Sequence, residues 1–230
     1  VISSSILVSS SSGVFANQVA EQTIALLLSL IRRIPTFVHA QTEKVFERRP
    51  TGDLFGKTVG IVGLGGNGRR IAEVLSAFGV NVLATDAFPV DCPRNVQQLW
   101  PADHLIDLLQ TVDIVVLCVP LNDRTHHMIG RKEFDNMKPG SILINVARGP
   151  VVDEASLAKA LRAGEIAGAG LDVFEKEPLV HRGLLGRKNV VLLPHIGSAT
   201  HETRGKMVEI AFRNVREALA GRVPPNSLTL

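Results

Sequence analysis

The fold of this 230-residue chain is decided by the stretch Lys57-Thr-Val-Gly-Ile-Val-Gly63-Leu-Gly65-Gly66-Asn67-Gly68. A β-branched run predicts a strand, and glycines at the spacing G-x-G-x-x-G follow it directly and open a helix. In this context Gly63 permits a tight turn, Gly65 lets a pyrophosphate approach the backbone, and Gly68 lets the helix pack closely on the strand. The helix N terminus offers free N–H groups to phosphate oxygens, so the stretch predicts a dinucleotide site.

An acidic residue follows at the distance that such a site requires. Asp86 ends the next predicted strand, 18 residues after Gly68 (86 − 68). A carboxylate there can accept hydrogen bonds from both ribose hydroxyls of NAD and would repel the 2′-phosphate of NADP. The ordinary alternative is a strand-end aspartate that caps a turn, and Arg94 in the following loop is a cation that could redirect specificity. The pattern predicts NAD as the cofactor.

Short apolar runs alternate with helical periods along the rest of the chain, which predicts an α/β fold with a Rossmann-type, doubly wound parallel sheet. The runs are almost wholly apolar, as expected when helices cover both faces of a sheet. The predicted strands are 57–62, 81–86, 113–119, 141–146, a run ending at Val173, and 190–194. The predicted helices are one from an Asn17 cap to Pro35, one after Gly68, and those near 105–109, 154–163 and 200–220.

Three further motifs lie at predicted carboxyl ends of strands, where open α/β sheets bind their ligands. They are Asn145-Val-Ala-Arg148-Gly-Pro-Val-Val-Asp153, Gly170-Leu-Asp172-Val-Phe-Glu-Lys-Glu177-Pro178 and Leu193-Pro-His195-Ile-Gly-Ser-Ala-Thr200. With the glycine turn, and in this order, they resemble the NAD-binding half of the D-2-hydroxyacid dehydrogenases. That family includes phosphoglycerate dehydrogenase, glyoxylate and hydroxypyruvate reductases, and D-lactate dehydrogenase. The resemblance runs from about Ala16 to the end of the chain.

The resemblance implies an oxidoreductase that transfers a hydride between NAD(H) and a 2-keto or D-2-hydroxy acid. It implies His195 as the acid/base, Glu177 as its carboxylate partner and Arg148 as the cation that binds the substrate. Imidazole suits proton transfer near neutral pH, and a guanidinium forms a planar fork for a carboxylate. Each residue alone has an ordinary structural interpretation, but the ordered set at strand ends favours catalysis.

The same resemblance implies the cofactor contacts, with Asp172 orienting the nicotinamide amide. Asn67 stands where the family more often has an aliphatic residue. The implied contacts are Thr23, Gly63, Gly65, Gly66, Asn67, Gly68, Asp86, Val119, Pro120, Thr125, Val146, Ala147, Arg148, Asp172, His195, Gly197 and Ser198.

The family also implies a second, substrate domain, whose N-terminal part is missing from this sequence. We expect residues 1–13 to be a remnant of that domain, 14–197 to form the NAD-binding Rossmann domain, and 198–230 to be a C-terminal helix and tail that return to the substrate domain. NAD binding by this chain is therefore expected to be more secure than turnover. A homodimer is implied as well, with a contribution from the first helix.

Composition excludes several other classes. A net charge of +3 is too small to indicate nucleic-acid or membrane partners. The sequence shows no signal peptide and no apolar run of spanning length, so we expect a cytoplasmic protein. Cys92 and Cys118 lack metal-ligand spacing, and Cys118 is expected to be a buried hydrophobe. The adjacent His126 and His127 are expected to point apart, so no metal is predicted.

One alternative from another class stays open at this point: an NAD(H)-sensing binding protein like the C-terminal-binding transcriptional corepressors, which resemble these enzymes and retain the triad. Formate dehydrogenase chemistry is disfavoured because that branch carries glutamine at the position of Glu177, and a degenerate scaffold is disfavoured by the intact triad. The sequence does not indicate which 2-hydroxy acid is used, although residues 179–182 could shape the pocket.

Overall fold

The structure, a computed structural model, describes residues 7–11 and 13–228. Seven parallel strands form one sheet in the order β3-β2-β1-β4-β5-β6-β7, which confirms the α/β Rossmann-type prediction. The order reverses beside β1, and this switch point creates a crevice at the carboxyl ends of the strands. The strands are β1 (Thr58–Val62), β2 (Asn81–Asp86), β3 (Gln98–Pro101), β4 (Ile114–Leu117), β5 (Ile142–Asn145), β6 (Gly168–Leu171) and β7 (Val190–Leu192).

Helices cover both faces of this sheet. They are α1 (Ala16–Ile31), α2 (Ile34–Thr42), α3 (Gly66–Ser76), α4 (Leu105–Thr111), α5 (Arg131–Asn136), α6 (Glu154–Ala163) and α7 (His201–Leu219). Because side chains alternate along a strand, Ile114 and Val116 of β4 face the cluster built with α1 and α3. Val115 and Leu117 face the cluster built with α4 and α6. The two cores hold the carboxyl ends of the strands in fixed register.

The first helical region differs from the prediction in two ways. Asn17 does not cap α1, because the helix begins one residue earlier and the Asn17 side chain accepts a hydrogen bond from Arg70 Nε at 2.7 Å. Pro35 does not simply end a helix either. The left-handed Arg33 breaks the chain direction, and Pro35 then lies in the first turn of α2. The apolar stripe of α1 is buried in the core, so the exposed apolar groups of this region lie on α2 instead.

The short edge strand β3 was also not predicted. Its residues Gln98–Pro101 are partly exposed and end in proline, so they lack the apolar run that marks the other strands. Thr85 of β2 pairs with Trp100 of β3, beside the strand end that carries Asp86. The edge of the sheet therefore lies next to the predicted ribose site.

The two ends of the described chain run side by side. Ser9 and Ser227 form an antiparallel bridge, and Leu228 N–H donates to the Val8 carbonyl at 2.8 Å. Residues 1–6 and 12 of the segment expected to be a remnant of the substrate domain lie outside the described residues. Within the described part, no single helix is long and apolar enough to cross a bilayer; only α1 and α2 taken together, bent by 66° at their junction, meet that test of length and composition.

Candidate active site

The glycine turn between β1 and α3 leaves room for a phosphate. A Cβ built on Gly65 or Gly66 would meet no atom within 4 Å, so the space above the first turn of α3 is open. A Cβ on Gly68 would lie 2.1 Å from the Gly63 carbonyl oxygen, so only glycine permits this contact between helix and turn. The open side faces the positive end of α3. These residues fit the pyrophosphate of a dinucleotide.

Asp86 lies beside this turn at the end of β2. Its Oδ2 accepts a hydrogen bond from Leu64 N–H at 2.6 Å, and its Oδ1 accepts one from Phe88 N–H at 2.8 Å. A carboxylate oxygen can accept a second hydrogen bond, and the side chain is only partly buried. Asp86 therefore braces the glycine turn and can still accept ribose hydroxyls.

The structure brings His195 and Glu177 into contact from the loops after β7 and β6. His195 Nδ1 lies 2.9 Å from Glu177 Oε2. Burial raises the pKa of Glu177, but the hydrogen bond with His195, the bond from Phe174 N–H and the charges of His195 and Arg148 outweigh it, so this pKa lies below its ordinary value. An ionised carboxylate only accepts, so Nδ1 carries a proton and Nε2 stays available for the substrate.

The loop that carries His195 is held by the buried carboxylate of Asp172. Asp172 is 3% exposed, and it accepts hydrogen bonds from the backbone N–H groups of Ile196 at 3.0 Å and Gly197 at 2.8 Å. Gln22 Nε2 of α1 donates to Asp172 Oδ1 at 2.7 Å. His195 takes the left-handed conformation with φ 54°. These bonds fix the backbone that directs the imidazole.

Arg148 reaches the same region from the loop after β5. Its Nη1 donates to the Ala147 carbonyl at 2.6 Å, and its charge is one of the causes that lower the pKa of Glu177. Asn145, 1% exposed, accepts from Ala147 N–H and donates to the Arg148 carbonyl. A Cβ on Gly149 would lie 1.8 Å from the Phe174 carbonyl oxygen, so glycine lets the Arg148 loop lie directly against the Glu177 loop.

A second buried carboxylate, Glu154, holds the Glu177 loop. It is 4% exposed and accepts from the N–H groups of Glu175 at 2.9 Å and His181 at 3.2 Å, one on each side of Glu177. Glu175 in turn binds His127 Nε2 at 2.6 Å. The sequence does not predict the roles of Glu154 and Gln22 or the bracing role of Asn145. The one local signal was a polar Asn145 ending an apolar strand.

The structure corrects the expectation for the two adjacent histidines. The rings of His126 and His127 do not point apart; their centroids lie 4.1 Å from each other. The reason is that His127 sits in a turn with φ 50°, not in a helix or strand. Within the described residues there is no group of three or more His, Cys, Asp or Glu side chains that could hold a metal ion.

Most of the remaining predicted cofactor contacts lie in loops that follow the strands, and Asn67 lies in a helix. Val119, Pro120 and Thr125 form the loop after β4, where the Thr125 hydroxyl donates to the Pro120 carbonyl at 2.6 Å. Val146 and Ala147 follow β5, and Gly197 and Ser198 follow His195. These lie at the carboxyl ends of their strands, as predicted. Asn67 lies in the first turn of α3 and is partly exposed.

The side chain of Thr23 is fully buried, and its hydroxyl donates to the Val19 carbonyl at 2.7 Å. Its role as a cofactor contact stays a prediction. Cys118, expected to be a buried hydrophobe, is partly buried and packs against the cluster built with α1 and α3. Burial raises the pKa of its thiol to about 12, which makes a thiolate unavailable at neutral pH.

The family model described as D-isomer specific 2-hydroxyacid dehydrogenase, NAD binding domain, matches residues 24–197. The glyoxylate reductase of Thermococcus litoralis is 42% identical over 233 residues, which cover 96% of this chain and 69% of that protein. The chain thus spans about two thirds of the length of this relative.

Two solved structures share the fold. One is the NADPH-dependent glyoxylate/hydroxypyruvate reductase of Sinorhizobium meliloti in complex with NADP and malonate, with a TM-score of 0.87, 34% identity, and coverage of 97% of this chain and 70% of that one. The other is the D-lactate dehydrogenase of Aquifex aeolicus complexed with NAD and lactic acid, with a TM-score of 0.87, 29% identity, and coverage of 98% and 74%. Nothing in these comparisons supports the corepressor alternative.

Proposed function

Since this chain belongs to the D-isomer specific 2-hydroxyacid dehydrogenase family, we propose that it is the cofactor-binding part of an oxidoreductase that transfers a hydride between NAD(H) and a 2-keto or D-2-hydroxy acid. The observation that carries the proposal is the contact of His195 with Glu177 at the same edge of the sheet as the open glycine turn. The proposed catalytic residues are Arg148, Glu177 and His195.

Each of these residues has a distinct task. The dinucleotide, when bound, supplies or accepts the hydride. Arg148 binds the carboxylate of the substrate and polarises its carbonyl, because a guanidinium stays charged. His195 Nε2 gives a proton to the carbonyl oxygen in reduction and takes it back in oxidation. Glu177 holds the imidazole by Nδ1, 2.9 Å from Oε2, and so leaves Nε2 free for the substrate.

The cofactor is held by the residues around the switch point of the sheet. The N–H groups at Gly65–Gly68 would bind the pyrophosphate, Asp86 the adenosine ribose and Asp172 the nicotinamide amide. Asp86 favours NAD(H) over NADP(H), because a 2′-phosphate would meet its carboxylate. The relatives support a small 2-keto acid as substrate, and we propose glyoxylate or hydroxypyruvate as the class to test first.

The experiment uses the full-length protein and a stopped-flow screen of glyoxylate, hydroxypyruvate, pyruvate and larger 2-keto acids with NADH. His195→Gln is expected to lower kcat by on the order of 10²–10⁴ and to leave NADH binding nearly unchanged. His39→Gln, on the exposed side of α2, is the matched control and should keep wild-type turnover. If the His195 variant turned over at the wild-type rate, the catalytic assignment would be wrong.

We further propose the domain division 1–13, 14–197 and 198–230. The pairing of residues 8–10 with 226–228 supports it, because it brings both segments assigned to the substrate domain together. We expect the isolated chain to bind NADH but to turn over far more slowly than the full-length protein. Equal kcat values for the two would contradict this division.

A homodimer is the proposed assembly. After α2 the chain exposes apolar side chains, among them Phe46, which is 97% exposed, and Val45. Burial of such side chains favours association. Light scattering after gel filtration should give a dimer for the wild type and a lower mass for Phe46→Ser. The control Phe88→Ser, at an exposed site beside the ribose-binding edge, should leave the mass unchanged.

We propose a cytoplasmic location. Its support is that Cys92 and Cys118 are free thiols, which persist in a reducing compartment. Cell fractionation followed by immunodetection checks this, and recovery in a secreted fraction would contradict it.

A further inference from the structure

An ion pair beside the proposed ribose site involves a residue of the phosphate-binding helix. Arg69 in the first turns of α3 donates from Nη1 to Asp91 Oδ2 at 2.9 Å and from Nη2 to Asp91 Oδ1 at 2.8 Å. A third hydrogen bond runs from Nη2 to the Asp91 carbonyl at 3.3 Å. The guanidinium thus uses both arms of its fork on one residue of the loop that follows β2.

Arg69 lies in the helix that follows the glycine turn, one residue after Gly68. Its backbone N–H donates to the Gly65 carbonyl at 2.9 Å, so it belongs to the turn that faces the pyrophosphate. The hydrogen bonds to Asp91 raise the pKa of Arg69, and the charges of Asp91 and Asp86 act in the same direction. Asp86 ends β2 and Asp91 lies in the loop that follows it, so the ion pair ties Arg69 to the end of β2 that carries Asp86.

We propose that Asp91 is a specificity-determining residue: by holding both arms of Arg69, it withholds this cation from the 2′-phosphate of NADP. Selectivity for NAD(H) then rests on two carboxylates with different tasks. Asp86 repels the 2′-phosphate directly, while Asp91 occupies the group that would otherwise bind it. The inference rests on the proposed function, because it assumes that the adenosine ribose lies at Asp86.

The chemistry of the groups supports this division. A guanidinium binds phosphate oxygens in the same two-pronged manner in which it binds a carboxylate. With its fork filled by Asp91, Arg69 presents a neutral pair rather than a free charge. The pair is half-exposed on the arginine side and largely exposed on the aspartate side, so the effect of releasing it is modest.

The experiment measures dissociation constants of NADH and NADPH for this chain by fluorescence titration. Asp91→Asn is expected to lower the NADPH dissociation constant about fivefold and to change that of NADH less than about twofold. The matched control is Asp135→Asn, which removes the same charge from an exposed arginine–aspartate pair on α5, with Arg131. It should change neither constant beyond about twofold.

A double-mutant cycle assigns the gain to Arg69. In an Arg69→Gln background, Asp91→Asn is expected to give no NADPH gain beyond that of the control. A gain of equal size in that background would overturn the proposal, since another cation such as the exposed Arg94 would then be responsible. A dissociation constant for NADPH that is unchanged in Asp91→Asn would also overturn the proposal. If the wild-type chain bound neither NADH nor NADPH, the proposed function itself would fail, which distinguishes the two.

Discussion

Two sides of the crevice bind by different means. The phosphate side, made of the turn 63–68 with Asp86, offers backbone N–H groups around glycines that leave open space. The catalytic side, made of the loops 145–150, 172–178 and 193–198, offers side chains whose loops are held by buried polar groups. Asn145, Glu154 and Asp172 each bond to backbone N–H groups there. A phosphate is thus recognised by the shape of the backbone, whereas proton transfer needs side chains whose loops are held by buried polar groups.

We expect the largest loss of stability at Gly149, where the Arg148 loop contacts the Glu177 loop on the catalytic side. Gly149→Ala would place a Cβ within 1.8 Å of the Phe174 carbonyl oxygen, so the two loops must separate. We expect the free energy of unfolding to fall by about 3 kcal/mol, measured by urea denaturation. Gly65→Ala is the matched control: its Cβ meets no atom within 4 Å, and it should cost less than about 1 kcal/mol. Equal losses would refute the steric argument.

Asp172 on the catalytic side and Asp86 on the phosphate side should differ in how much they contribute to the free energy of unfolding. Asp172 is 3% exposed and accepts three hydrogen bonds, so an amide in its place would turn an N–H group toward a donor. We expect Asp172→Asn to lower the free energy of unfolding by about 2–3 kcal/mol. Asp86→Asn, on the partly buried phosphate side, should cost about 1 kcal/mol. A larger loss at Asp86 would reverse the comparison.

On the catalytic side, the contribution of Glu177 to the free energy of unfolding should depend on pH, and we expect this effect to be the smallest of the three. The pKa of Glu177 lies below its ordinary value of 4.5, so its ionised form is the one that the fold favours. Its contribution to stability is therefore present above pH 4.5 and disappears as the pH falls through the lowered pKa. Because the side chain is partly exposed, the contribution should stay below about 1 kcal/mol. Urea denaturation of wild type and Glu177→Gln from pH 3 to 6 should show the difference shrinking toward acid; a difference that grows would contradict the assignment.

The two sides also differ in how much of them the sequence predicts. The phosphate side depends on glycines and an acid that lie close together in the chain, so spacing alone locates Gly63–Gly68 and Asp86. On the catalytic side the motifs locate Arg148, Glu177 and His195. The hydrogen bonds that hold these loops cannot be predicted from the sequence, because partners such as Gln22 and Asp172 are 150 residues apart and meet only in the folded chain.

The elements that were not predicted also depend on contacts between distant parts of the chain. Apolar runs predict the buried strands, but β3 at the sheet edge buries too little to produce one. Helix α5 was missed because it buries one residue, Phe134, and so has no apolar stripe. Helix α2 was not predicted as a separate helix because Pro35 was interpreted as the point where the first helix ends or kinks, whereas a left-handed Arg33 allows a new helix to begin there. These features depend on tertiary contacts rather than on local pattern.

The edge strand β3 has a practical consequence. It carries the only tryptophan of the chain, Trp100, paired with Thr85 next to the ribose-binding end of β2. Indole emission overlaps the absorption of a reduced nicotinamide, so excitation of this one side chain would pass to NADH bound in the crevice. The molecule thus contains its own optical reporter of cofactor occupancy, with no label and no second emitting indole to complicate the signal.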